Sequence, residues 1–246
     1  MTTDVRLDGK TAVVTGAGRG IGRAIAIGLA LAGAYICCAA RTISEIDDTV
    51  TQIEVAGGRG FAVRADVTDP VSVAALFDQA ADATGGIDIV FLNAGGTIDG
   101  GDTADSDMDA WRSTIELNLM GTYYCARAVI PYLKERGGGK IITIGSGLGH
   151  RGRAGDSSYS CAKAGVWMLT RVLAQELWRD NISVNELIPG PVHSGSGPLP
   201  TGPSPLAESE WLKTPEDVVP LALFLASQPL TGPTAQSFSL MRRDGF

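Results

Sequence analysis

Three side chains in the middle of the chain could manage a proton and an oxyanion together. Tyr159 and Lys163 stand four residues apart in Ser158-Tyr159-Ser160-Cys161-Ala162-Lys163, so on a helix they share one face. Ser146 lies upstream, after an apolar run of strand length. Reducing a carbonyl by hydride leaves an alkoxide, which needs a proton donor within hydrogen-bond reach. A phenol can serve: its ordinary pKa is about 10, and a nearby ammonium favours the phenolate and brings it towards working pH. A serine hydroxyl can donate to the developing oxyanion. Tyr-x-x-x-Lys pairs occur by chance on many helices, so the weight rests on the surroundings.

A second group lies near the N-terminus, where Thr15-Gly16-Ala17-Gly18-Arg19-Gly20-Ile21-Gly22 joins an apolar strand-like run to the helix-like segment Ala24 to Ala32. One glycine admits a positive φ at the turn and another lets a phosphate approach the backbone. The helix N-terminus adds N–H groups and partial positive charge. Between a strand and a helix, this spacing marks a dinucleotide site.

These residues need a scaffold that brings them to one edge. Strand-length runs at Thr11–Thr15, Tyr35–Ala39, Phe61–Arg64, Asp88–Leu92, Lys140–Ile144, Ile182–Ile188 and near Phe238–Met241 alternate with helical segments. In one of these, Ile43, Ile46, Val50 and Ile53 form a core-facing stripe. The pattern predicts an α/β fold over residues 1–246 as a single domain: a doubly wound, Rossmann-type parallel sheet of seven strands with helices on both faces. Its ligand crevice lies beyond the carboxyl ends of the strands. One segment breaks the regularity. Pro189 to Pro205 holds six of the 12 prolines, which excludes a regular helix or strand and suggests a substrate lid at about 189–211.

Composition narrows the partners. With 20 Lys and Arg against 27 Asp and Glu, the net charge of −7 has the wrong sign for tracking a phosphate backbone, so nucleic acid is not expected. The uncharged run Ala24 to Ala40 is divided by Gly33 into helix-like and strand-like halves and reads as buried core, not as a membrane span. Met1 to Arg6 has no apolar run behind a basic start, so a cytoplasmic location is expected. Cys37, Cys38, Cys125 and Cys161 lack Cys-x-x-Cys spacing, and His150 and His193 form no ligand pair, so no metal is expected.

The Thr-Gly-x-x-x-Gly-x-Gly spacing resembles the short-chain dehydrogenase/reductase family. The resemblance recurs at Asp66-Val67, Asn93-Ala94-Gly95, Asn118, Ser146, Tyr159 with Lys163, and Pro189-Gly190. It implies catalysis by Asn118, Ser146, Tyr159 and Lys163, in which Lys163 also binds the nicotinamide ribose and Asn118 holds a water leading to solvent. It implies cofactor contacts from Gly16, Gly18, Arg19, Gly20, Ile21 and Gly22; from Asp66 and Val67 towards adenine; from Asn93, Ala94 and Gly95 along the adenosine ribose; and from Pro189, Gly190, Val192 and Ser194 near the nicotinamide. Ser194 stands where a Thr is usual, and Leu92 where a second Asn is common.

The end of the second strand bears on the cofactor. A carboxylate there would bind a ribose 2′-hydroxyl and repel a 2′-phosphate. Ala40 holds that place and Arg41 follows it. With Arg19 close by, the arrangement resembles the NADP-preferring members, so NADP(H) is expected over NAD(H).

From Leu187 to Ala207 there is no Asp, Glu, Lys or Arg, which favours a neutral small-molecule carbonyl or alcohol substrate. Two alternatives remain open: a 3-oxoacyl reductase acting on a carrier protein or CoA thioester, as in 3-oxoacyl and carbonyl reductases of the family, and a non-catalytic dinucleotide-binding redox sensor. The net charge weakens the carrier reading. The resemblance also implies a homotetramer, or a homodimer, built through two long helices at about 109–135 and 157–178. Trp167, Met168 and Trp178 are interface candidates on the second.

Overall fold

In the computed structural model, residues 5–98, 100–193, 203–204 and 207–241 are described. Strands β1 (Thr11–Thr15), β2 (Tyr35–Ala40), β3 (Arg59–Arg64), β4 (Ile89–Leu92), β5 (Gly139–Ile144), β6 (Ile182–Ile188) and a late strand Ser237–Ser239 make one sheet. The spatial order is β3-β2-β1-β4-β5-β6 and then the late strand, every pair parallel. The central strands β1, β4, β5 and β6 are buried throughout their length, as expected where both faces of a parallel sheet are covered.

The covering helices are α1 (Gly20–Leu31), α2 (Ile43–Val55), α3 (Pro70–Thr84), α4 (Met108–Ile115), α5 (Gly121–Glu135), α6 (Leu148–Arg151), α7 (Ser157–Leu177) and α8 (Val219–Ser227). One core, around Ile25, Leu29, Ile36, Ile46, Phe91 and Leu225, joins α1, α2 and α8 to one face of the sheet. A second, around Leu76, Phe77, Val90, Leu133, Val184 and Leu177, joins α3, α5 and α7 to the other. The doubly wound sheet is thus present as the pattern predicted. Strand order reverses between β1 and β4, so the loops after these two strands flank the crevice.

Some details differ from the sequence pattern. Ile43 is exposed, because it opens α2 one turn before the helix reaches the core, whereas Ile46 and Ile53 are fully buried. The long helix expected over 109–135 contains a π-helical turn at Glu116–Met120 between α4 and α5. The proline-rich segment was expected to exclude strand, yet Pro203–Ser204 (β7) pairs antiparallel with Ala207–Trp211 (β8). A two-stranded ribbon consists of edges alone, so a proline without an N–H is tolerated there. The sheet's late strand is β9. Among the described residues, no helix is long and apolar enough to cross a membrane.

Candidate active site

At the carboxyl end of β1 the chain turns sharply with φ +67° at Gly16 and +55° at Gly20. Helix α1 packs so tightly on this turn that a Cβ on Gly22 would stand 2.2 Å from the Gly16 carbonyl oxygen. Arg19 is the N-cap in extended conformation, and no side chain caps the helix. The first N–H groups of α1 are therefore available to an anion. Arg23 holds the loop from behind: it donates to the Gly18 carbonyl and to Thr49 Oγ1, and pairs with Asp48 at 2.9 Å.

Thr15 ties this loop to the one after β4. Its Oγ1 accepts from Asn93 N at 3.0 Å and Ala94 N at 3.1 Å, while Asn93 Nδ2 donates to Thr15 O at 2.9 Å. The Asn93 side chain, expected along a ribose, is thus engaged in bracing β1 against β4. Asp66 is likewise occupied. Its Oδ1 accepts from the N–H and hydroxyl of Thr68, and its carboxyl lies below the ordinary range because these bonds, with Arg41 and Arg64, outweigh the opposing effect of burial.

Ser146 follows β5, and its Oγ accepts from Leu148 N at 3.2 Å. Tyr159 and Lys163 both project from α7, and Lys163 Nζ donates to the Ile144 carbonyl at 2.8 Å. Burial pushes the phenol of Tyr159 above its ordinary value, against a hydrogen bond with Ser146 that pulls it down, and Asp156 adds to the rise. Lys163 is pushed down to about 8 by burial, against the pull of the Glu186 carboxylate. The sequence predicts an ammonium that lowers the phenol. Here Lys163 Nζ lies 5.6 Å from the centroid of the Tyr159 ring, and the phenol's departure is upward.

Asn118 is fully buried in the π-turn. Its side chain grips Gly96 with both ends: Oδ1 accepts from Gly96 N at 3.1 Å and Nδ2 donates to Gly96 O at 2.7 Å. A Cβ on Gly95 would stand 2.6 Å from Asn118 Oδ1 and 3.5 Å from Lys163 Nζ. The turn therefore sets the β4 loop next to the lysine.

One cavity of about 700 Å³ runs from Arg19, Arg41 and Thr42 past Gly16, Gly20 and Gly22 to Ser146, Tyr159, Lys163, Pro189, Gly190 and Val192, whereas Asp66 and Asn118 are not among its lining residues. Val67, Ala94 and Gly95 contribute to its wall, with Ala65 beside Asp66. Ser194 lies outside the described residues, as do much of the expected lid and the tail 242–246. Three residues on or behind the wall escaped the sequence reading. Glu45, in the first turn of α2, reaches the basic end of the cavity beside Gly18. Glu186 and His150 form a pair at 2.9 Å behind Ser146. An acid within the otherwise neutral strand Ile-Ser-Val-Asn-Glu-Leu-Ile was the available signal for Glu186.

The dimensions suit a nicotinamide dinucleotide: uncapped helix N–H groups at mid-cavity, arginines at one end and a buried lysine at the other. The short chain dehydrogenase profile matches residues 10–197. The 7alpha-hydroxysteroid dehydrogenase of Escherichia coli (strain K12) is 35% identical over 232 residues, 91% of this chain and 89% of the relative. The cis-4-hydroxycyclohexanecarboxylate dehydrogenase of Sinomonas cyclohexanicum is 41% identical over 182 residues, 74% of this chain and 72% of the relative. A solved 7 alpha-hydroxysteroid dehydrogenase, complexed with NADH and 7-oxo glycochenodeoxycholic acid, superposes with a TM-score of 0.88 at 33% identity, covering 98% of this chain and 96% of the other. The chain belongs to the short-chain dehydrogenase/reductase family. It is an oxidoreductase of hydroxyl and carbonyl groups that uses a nicotinamide dinucleotide.

Proposed function

We propose that the protein is an NADP(H)-dependent dehydrogenase/reductase that interconverts a neutral secondary alcohol and its ketone. The observation that carries this is the convergence of Ser146, Tyr159 and Lys163 with the glycine loop and Arg41 around one cavity. The bound nicotinamide supplies or accepts the hydride. Tyr159 gives its phenolic proton to the alkoxide oxygen in reduction and takes it back in oxidation. Ser146 donates to the same oxygen and orients the carbonyl. Lys163 would hold the nicotinamide ribose, and its ammonium, close to the Tyr159 ring, favours the phenolate. Asn118, whose side chain is taken up by Gly96 and Thr114 rather than a water, keeps the β4 loop in place beside Lys163.

The 2′-phosphate is assigned to Arg41 and Arg19, both exposed at the open end of the cavity. Two relatives whose named substrates carry a ring hydroxyl support an alicyclic alcohol. A substrate panel of cyclic alcohols and ketones, assayed with NADPH and NADH side by side and repeated with Tyr159→Phe, tests the reading. Turnover that survives Tyr159→Phe intact would overturn the catalytic assignment. Binding of NADPH with no turnover on any carbonyl would favour a redox sensor.

A further inference from the structure

Glu186 sits on β6 with its side chain fully buried. Carboxylates are rarely left in such positions, since removing one from water costs several kcal/mol unless partners compensate. Its Oε2 is well served: His150 Nε2 donates to it at 2.9 Å and Ser237 Oγ donates from β9. Its Oε1 is buried and has no hydrogen-bond partner. That oxygen points to Gly145, the residue before Ser146, where a Cβ would stand 1.9 Å away. The missing side chain of Gly145, a residue of the cavity wall, thus leaves the space that the carboxylate fills directly behind that wall. Lys163 Nζ donates to the carbonyl of Ile144, the residue before Gly145, and the nearby carboxylate opposes the fall that burial imposes on the lysine.

The other groups around this cluster are few. Lys163 approaches from α7, its Nζ on the Ile144 carbonyl next to Gly145, and His150 from α6, while Gly145 follows β5 and β9 contributes the Ser237 hydroxyl. His150 packs against Trp167 at a tilt, ring centroids 4.7 Å apart, and the Arg171 guanidinium lies 5.8 Å from the Trp167 centroid. His150 also belongs to the short helix that begins two residues after Ser146.

We propose that Glu186 is a positioning residue of the reaction: a buried counter-charge to Lys163, admitted by Gly145 and held by His150, which couples the ammonium to the segment carrying Ser146. The proposal rests on the roles given to Ser146, Tyr159 and Lys163 above. Without the carboxylate, Lys163 would lose its proton at lower pH, and with it the hold on the nicotinamide ribose. Without His150, Oε2 keeps only the Ser237 donor, and the carboxylate is no longer fixed against Gly145, so its charge is no longer held beside the lysine.

The test is NADPH binding by fluorescence titration across neutral to alkaline pH, with kcat/KM measured in parallel. Glu186→Gln keeps the shape and removes the charge. It should move the alkaline fall of both quantities down by about one pH unit, with the melting temperature not reduced. His150→Ala should move them the same way, His150→Gln, whose amide can still donate to Oε2, should not, and the Glu186→Gln/His150→Ala double variant should go no further than either alone. Profiles of Glu186→Gln and His150→Ala that superimpose on wild type would overturn the proposal. A role in folding alone would lower the melting temperature and leave the pH midpoint in place, so that result also counts against it. If Tyr159→Phe is inactive while these profiles superimpose, only this inference fails. If Tyr159→Phe is fully active, the catalytic reading beneath it has failed.

Discussion

Lys163 Nζ lies 5.6 Å from the centre of the Tyr159 ring and gives a hydrogen bond to the Ile144 carbonyl, so the ammonium lies beside the aromatic ring while almost wholly buried. Each of the two is less readily charged than in water: the phenol is raised, and the lysine is lowered to about 8. The pair is therefore held in reserve, and a ligand that hydrogen-bonds both groups gains from engaging them.

Tyr159→Phe is expected to lower kcat by about a thousandfold, the range general acid catalysis supplies, with NADPH affinity nearly intact. Stopped-flow turnover beside a binding isotherm separates the two quantities.

Lys163 makes function and stability move oppositely with pH. Its folded pKa is about 8 and its unfolded value about 10.4, so between them the unfolded chain binds more protons and the lysine's contribution to stability rises with pH. Cofactor binding through the ammonium falls over the same interval. Relative to Lys163→Met, wild type should gain melting temperature as pH climbs through this window while its NADPH affinity declines. A difference that stays flat would refute the assignment.

Arg41→Ala should weaken NADPH about tenfold to a hundredfold, through loss of charge-assisted bonds to the phosphate, and alter NADH little. Glu45, which lines the same end, would repel that phosphate, so Glu45→Gln should tighten NADPH a few-fold. Equal effects on both nucleotides in either variant would count against a 2′-phosphate at this rim.

Gly22→Ala places a methyl 2.2 Å from the Gly16 carbonyl oxygen, a backbone contact that cannot be relieved by a rotamer. Separating α1 from its loop should cost about 2 kcal/mol of stability and abolish measurable cofactor binding in a calorimetric titration.

At the far end of the sheet, Asp88 accepts from Thr11 N, Lys10 and Arg136. These partners outweigh burial and hold its carboxyl below the ordinary value. A depressed folded pKa means stability that is present above the unfolded pKa of about 3.9 and lost as pH falls through the folded one. Asp88→Ala should cost about 2 kcal/mol at neutral pH and flatten the acid limb of a denaturation series.

The parallel sheet was legible because β1, β4, β5 and β6 are apolar on both faces, and the glycine loop because Gly16 and Gly22 meet a steric demand that no other residue satisfies. Tyr159 and Lys163 were legible from their four-residue spacing once Ser146 and the glycine loop were read with them. Other features depend on contacts distant in the chain. No local pattern says that Asn118 will grip Gly96, that Glu45 will swing to the rim of the cavity, or that Glu186 will find a histidine 36 positions away. The upward course of the Tyr159 phenol was missed for a related reason: burial is a tertiary property, and it outweighed the Ser146 hydrogen bond.

The π-turn at Glu116–Met120 holds one more residue than regular helix would need there. Each helical residue rotates the chain by about 100°, so this surplus lets α4 and α5 aim their packing faces independently while Asn118 is pushed inward. A deletion of one residue here should restore regular helix and raise the melting temperature. It would also withdraw the grip on Gly96 and release the loop beside Lys163. The segment is thus a point where selection for heat resistance alone would erode catalysis, and where a stabilised variant should be checked first for lost turnover.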